Sequence, residues 1–205
     1  MRKGLLIIGF AIVAVAVYFL YFYSGDEKKD YSPKQQPLTI SKKSDSFNVP
    51  FNNMLNSYFE LKDALVNWDT AKANLAAVNL NETIAKVPYE ILQADSSIIS
   101  TAKNLAEGMI AESKAIAGDP DINEKRKSFY TLSEDLYNLA RTVQYDQQVI
   151  YHDKCPMAFG DDKEAYWISN TRDIINPYLG NKHPKYHSAM MNCGNVEDSL
   201  DFRSR

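Results

Sequence analysis

The chain has 205 residues, a formal net charge of −3, two cysteines, and only 8 glycines and 8 prolines. So mild a charge builds no large basic face and excludes nucleic acid as the expected partner. Two cysteines allow at most one intrachain disulfide, which excludes a disulfide-framework protein, and the scarcity of breakers favours helices over a turn-rich β architecture.

Met1-Arg2-Lys3 is a short basic head, and Leu5–Tyr23 then carries no charged residue. That run is close to the ~20 residues a helix needs to cross the hydrocarbon core. Its aromatic end, Tyr18 to Tyr23, suits a membrane interface. No small-residue cleavage site follows it, and no cysteine for lipoprotein processing. The expectation is a single-pass signal anchor over residues 1–24 in the inner (cytoplasmic) membrane; the alternative is a cleaved signal peptide and secretion. Arg2 and Lys3 keep the N-terminus cytoplasmic, so the rest of the chain faces the far side, the periplasm in a bacterium, where disulfides are permitted. Residues 25–49 are polar and lysine-rich, with Pro33 and Pro37, and read as a flexible tether.

From Pro50 the pattern changes, and residues 50–205 suffice for one domain with its own core. Met54, Leu55, Tyr58, Leu61, Leu65 and Trp68 recur at three- and four-residue spacing, the mark of one apolar helix face. Asp69 or Thr70 caps a second helix with Ala71, Leu75, Val78 and Ile84 as its stripe, interrupted around Asn79-Leu80-Asn81. A third helix runs from Ser96 to Ile116 and is stopped by Gly118-Asp119-Pro120. A fourth starts near Asp121 and carries Phe129, Leu132, Leu136, Leu139 and Val143. Four amphipathic helices with short joints predict an all-α fold, an antiparallel four-helix bundle behind an N-terminal transmembrane helix. The bundle holds no phosphate loop and no His-Glu-x-x-His run, and its carboxylates Glu60, Asp63, Glu107, Glu112, Glu134 and Asp135 read as solvated faces. No enzyme activity is expected.

After Tyr145 the helical period fades. Pro156, Gly160, Pro177, Gly180, Pro184 and Gly194 punctuate a segment expected to be loops and short helices packed on the bundle, anchored by Tyr166, Trp167 and Tyr178. The soft atoms are concentrated here. His152 stands three residues before Cys155, Met157 two residues after it, and Met190 three residues before Cys193. Thiolate and thioether sulfurs suit Cu(I) and Ag(I), and imidazole tolerates several metals. Two cysteines in an oxidising compartment also suit a structural Cys155–Cys193 disulfide, worth roughly 2–4 kcal/mol. His183 and His187 lie in a His-Pro-Lys-Tyr-His segment that reads equally as a solvated loop.

At these residues the sequence resembles a family. His152, Cys155-Pro156-Met157-Ala158, Ala165-Tyr166-Trp167-Ile168-Ser169, Ile175-Asn176-Pro177-Tyr178-Leu179-Gly180, and Met190 with Cys193-Gly194 and Val196 are similar to the domain of unknown function associated with heavy-metal efflux membrane-fusion proteins of the CusB/HlyD type. Tyr58-Phe59-Glu60-Leu61-Lys62-Asp63-Ala64-Leu65 fits the opening segment of that family. The resemblance implies a helical exported domain linked to copper or silver handling, with His152, Cys155, Met157, Met190 and Cys193 as the ligands. The chain departs from the family pattern at Asn181–Ala189, an insertion that brings His183 and His187.

The function expected is therefore a membrane-anchored, extracytoplasmic soft-metal binding protein, holding Cu(I) or Ag(I) and passing it to an efflux adaptor or transporter by ligand exchange. The alternative is a structural or interaction domain without metal, in which Cys155 and Cys193 form a disulfide.

Overall fold

The structure, a computed structural model, describes Tyr18 and residues 43–203. The described residues from Lys43 onward belong to one compact unit. Its elements in chain order are helices α1 (Asp45–Val66), α2 (Thr70–Ala85), α3 (Ser96–Gly118) and α4 (Ile122–Thr142), then strands β1 (Ile150–Cys155), β2 (Ala165–Ser169) and β3 (Asn195–Leu200). A single 3-10 turn, Tyr89–Ile91, joins α2 to α3.

The helices form where the apolar spacing demands them. On α1, Phe47, Phe51, Met54, Leu55, Tyr58, Leu61 and Leu65 are all buried, and each such burial contributes on the order of 1.5–3 kcal/mol. Pro50 lies inside this helix rather than at its start. It is the sixth helical residue, beyond the first turn, and leaves the Ser46 carbonyl without its intrahelical donor; the helix nonetheless takes in residues 45–49, expected in the tether, with Phe47 and Phe51 buried on either side of the proline. On α4, Phe129, Leu132, Leu136 and Leu139, with Val143 just past its end, line the core, and the Asp121 side chain caps the helix by accepting the Asn123 N–H at 2.6 Å. Sequential helices pack on one another. Across the bundle α1 meets α4 through large rings: Tyr58 stacks on Phe129 at 5.2 Å and its hydroxyl lies 2.8 Å from Ser133 Oγ.

Helix α2 departs from expectation in two ways. Its inner face is built by Ala73, Ala76, Ala77, Leu80 and Ile84, while Leu75 and Val78 face solvent. Asn79-Leu80-Asn81 does not interrupt it. Asn81 instead ties α2 to α3, its amide donating to the Ile110 carbonyl and to Ser113 Oγ, both at 3.1 Å.

The all-α expectation is overturned by the C-terminal segment, which holds a three-stranded antiparallel sheet in the order β2-β1-β3. The β1/β2 register is regular, from Tyr151 opposite Ser169 to Cys155 opposite Ala165. On the other side β3 bulges, since His152 faces Asp198 and the next residue, Asp153, faces Val196. The sheet packs on α4 through β2. The Tyr58 hydroxyl accepts the Ile168 N–H at 3.1 Å and so serves a backbone donor of β2.

Among the described residues no helix is long and apolar enough to cross a membrane. A transmembrane helix is therefore no part of the described fold, and the expected spanning run Leu5–Tyr23 falls, Tyr18 apart, outside the described residues.

Candidate functional site

Strand parity sorts the expected ligands first. Successive side chains of a strand point to opposite faces. His152 and Lys154 therefore share one face of β1 with Tyr166 and Ile168 of β2. Asp153 and Cys155 share the other with Ala165, Trp167 and Ser169. A three-residue spacing would gather His152 and Cys155 on one side of a helix; in a strand it parts them.

His152 is occupied on its own face. Its ring lies between Tyr137 (4.0 Å, 12° between planes) and Tyr166 (4.9 Å, 17°). Its Nε2 is 2.8 Å from Glu134 Oε1, so Glu134 is a partner of the sheet rather than a solvated carboxylate. Tyr137 in turn donates its hydroxyl to Asp198 of β3. His152 therefore docks the sheet onto α4, and it is not brought to the sulfur atoms.

The two cysteines are brought together. Cys155 is buried at the end of β1, Cys193 is half-buried just before β3, and both are free thiols. Burial pushes the Cys155 thiol up to about 11. The Met157 backbone N–H and the Asn176 side chain hold it down, and the neighbouring Cys193 thiol raises it further through charge and hydrogen bonding. Met157 and Met190 are partly buried against the core. Met157 follows Cys155 in the same loop, and the Met190 carbonyl accepts the Cys193 N–H at 3.0 Å, so Met190 opens the turn that Cys193 closes.

Asn176 organises this loop. Its Nδ2 donates to the Cys193 carbonyl at 2.7 Å, its Oδ1 accepts the N–H groups of Tyr178 (2.8 Å) and Leu179 (3.0 Å), and its own N–H donates to the Met191 carbonyl at 2.8 Å. Gly194 lets the chain pass over β1. Its φ is +140°, and a Cβ there would collide with the Lys154 carbonyl oxygen and lie 3.1 Å from Trp167 Cη2.

The rest of the Asn-Pro-Tyr-Leu-Gly motif is a dock on the helices. Buried Arg126 of α4 donates Nε to the Pro177 carbonyl and an Nη to the Leu65 carbonyl, both at 2.9 Å, and stacks its guanidinium 3.9 Å from the Trp68 ring. Burial, only partly opposed by Asp121 and Tyr178, lowers its pKa to about 9. Trp68 Nε1 donates to the Leu179 carbonyl at 2.9 Å, and Tyr178 donates its hydroxyl to the Tyr166 carbonyl. Arg126 and Trp68 have no motif of their own. An arginine on the inner arc of an amphipathic helix was the available signal for the first.

The insertion forms a tight turn in which the His187 N–H donates to the His183 carbonyl at 2.8 Å. His183 Nδ1 accepts the N–H groups of Lys185 and Tyr186, both at 3.2 Å. A neutral ring accepting at Nδ1 carries its proton on Nε2, and so offers a metal no lone pair there. His183 is a turn-former in this geometry.

One buried carboxylate lies on the Cys155 face of the sheet. Asp153 Oδ2 accepts the Ser169 hydroxyl at 2.6 Å, while Oδ1 has no partner. Burial pushes its carboxyl up to about 6, against the Ser169 bond and the Lys62 and His152 charges. Among the described residues no group of three or more His, Cys, Asp or Glu side chains could hold a metal ion. The arrangement offers two adjoining thiols, with thioethers as the further soft donors in the same loops.

Residues 54–148 match a family model described as protein of unknown function (DUF3347). The match begins within α1, ends before β1, and carries no activity, metal or partner in its description. No curated protein and no solved structure matches the chain.

Proposed function

We propose that this protein is an extracytoplasmic carrier of a soft metal ion, Cu(I) or Ag(I), held between Cys155 and Cys193 with Met157 and Met190 as auxiliary donors. The observation that carries this reading is the approach of the two thiols from opposite ends of a long loop, with Asn176 bonded to the Cys193 carbonyl and acting on the Cys155 thiol. Two thiolates with thioether support suit a soft monovalent ion and leave its coordination low enough for ligand exchange with a partner. Because burial keeps Cys155 protonated at neutral pH, loading releases a proton from it and strengthens as pH rises. His152 drops out of the ligand set, since it faces away and is bonded to Glu134.

The C-terminal motifs resemble the domain that accompanies heavy-metal efflux membrane-fusion proteins, which supports an efflux adaptor or transporter as recipient. The charge-free run Leu5–Tyr23 behind Arg2 and Lys3 supports delivery to, or attachment at, the far side of the cytoplasmic membrane. The approach of the thiols also favours a second reading, a Cys155–Cys193 bridge that pins the loops to β1 without metal.

Anaerobic titration of the reduced full-length protein with Cu(I), against a competing chelator, separates the two. The carrier binds one equivalent, and Cys155→Ser or Cys193→Ser each removes that binding. Protein isolated with no free thiol, whose reduced form binds no better than either variant, overturns the carrier and leaves the staple.

A further inference from the structure

The two thiols of the candidate site are unequally placed. Cys155 ends the central strand of the sheet and is 0% exposed, and so are its cross-strand neighbour Ala165 and, on the same face, Trp167. Cys193 is half-buried on a run of turns, with exposed Asn192 beside it. That turn is tied to the preceding loop through side chains. Asn176 Nδ2 donates to the Cys193 carbonyl at 2.7 Å, and Asn192 Nδ2 donates to the Ile174 carbonyl at 2.7 Å. Opening the turn exchanges such bonds for bonds to water and leaves the sheet intact. Exposing Cys155 requires β1 to leave its ladders with both β2 and β3.

We propose that the ion enters and leaves the site on the Cys193 side: Cys193 is the thiolate a partner displaces first, and Cys155 is the anchor released last. This rests on the carrier reading and adds an order to it. An incoming thiol gives up its proton and bonds the metal-thiolate pair as a third sulfur. The bond from the ion to Cys193 then breaks, and the Cys193 sulfur keeps the electron pair and takes up the proton that the incoming thiol released. Neither the ion nor any sulfur changes oxidation state. A second exchange of the same kind frees Cys155. The recipient must therefore bring its thiols on a projecting segment, since a flat surface would meet Cys193 and never reach the buried anchor. Met190, partly buried and bonded through its carbonyl to the Cys193 N–H, stands on the same exposed turn, where a thioether can hold the ion while Cys193 is let go.

Two measurements on the reduced full-length protein test the order. The first needs no metal. Alkylation with iodoacetamide under native conditions is expected to label Cys193 and stop, with Cys155 labelled only after urea is added. The second is chemical rescue. Cys193→Ala leaves its gap at the half-exposed position, so glutathione can supply the missing thiolate and restore Cu(I) retention towards the wild-type level. Cys155→Ala leaves a closed gap that a tripeptide cannot enter, and its retention stays at that of the double variant in the same glutathione. Unchanged circular dichroism and melting show that each variant remains folded. Native labelling of Cys155 before Cys193, rescue of Cys155→Ala, or rescue of neither variant overturns the order while leaving the carrier standing. A wild-type protein that labels in the expected order but retains no Cu(I) overturns the carrier and the order with it.

Discussion

Replacing Gly180 by alanine probes whether the C-terminal loops are docked on the bundle as described. Gly180 has φ +60°, and a Cβ there would collide with the Val66 carbonyl oxygen at the end of α1 and lie 2.8 Å from Trp68 Nε1. Three effects combine. The left-handed conformation costs an alanine about 1–2 kcal/mol. Relief of the collision moves either the loop or the end of α1, which weakens the bonds from Asn181 N–H to the Val66 carbonyl and from Trp68 Nε1 to the Leu179 carbonyl, both 2.9 Å, at about 1 kcal/mol each. Against these, alanine stiffens the unfolded chain by roughly 0.4–1 kcal/mol. The net expectation is a loss of about 2–3 kcal/mol. Gly118 is the control, because a Cβ there meets nothing within 4 Å, and Gly118→Ala is expected to be neutral or slightly stabilising. Urea unfolding followed by tryptophan fluorescence reports both, since Trp68 and Trp167 lie on either side of the motif. Equal stability for Gly180→Ala and Gly118→Ala would refute the docking of the loop against Val66.

Two further outcomes follow from the same geometry. His152→Gln keeps a polar group but loses the stack between Tyr137 and Tyr166 and the Glu134 pair; it is expected to cost about 1–3 kcal/mol of stability and to leave Cu(I) affinity unchanged in the chelator assay, whereas a large loss of affinity would return His152 to the ligand set. Burial, then Glu112 and Glu134, raise the Asp135 carboxyl above its ordinary value, so the folded state holds this proton more tightly than the unfolded chain. Stability from this group is therefore full below the unfolded value and is lost as pH rises through the folded one. Asp135→Asn should stabilise the protein at neutral pH and make no difference in acid, as read from melting temperatures across that range.

Helices α1 and α4 were legible because their large apolar residues fall on one face: all of Met54, Leu55, Tyr58, Leu61 and Leu65, and the whole stripe from Phe129 to Val143, are buried; α3 was legible from its stop at Gly118-Asp119-Pro120, although its Ile99, Leu105 and Ile110 are only partly buried. Helix α2 was misread because size was taken for direction. Its inner face is mostly alanine, which lets α2 lie close to its neighbours, and its larger residues Leu75 and Val78 point outward. The sheet was hidden for a different reason. β1 and β2 do not alternate cleanly, since the successive residues His152 and Asp153 of β1 and Trp167, Ile168 and Ser169 of β2 are all buried, and β3 is exposed along all but its last residue. Strands this short, set among prolines and glycines, carry no period that composition reveals. The soft-atom clusters were visible as residues, but only strand parity shows that Cys155 and His152 part company. Asn176 and Arg126, which place the Cys193 loop, act through backbone carbonyls that no side-chain pattern announces.

The claim most in need of a direct test is that sulfur alone holds the metal. X-ray absorption at the copper edge of full-length protein, loaded anaerobically with one equivalent of Cu(I), reads the donor atoms themselves. The account predicts a first shell of sulfur only, retained in His152→Gln and lost when Cys155 and Cys193 are both changed to serine. A shell containing imidazole nitrogen, or copper that washes off the reduced wild-type protein, would contradict it.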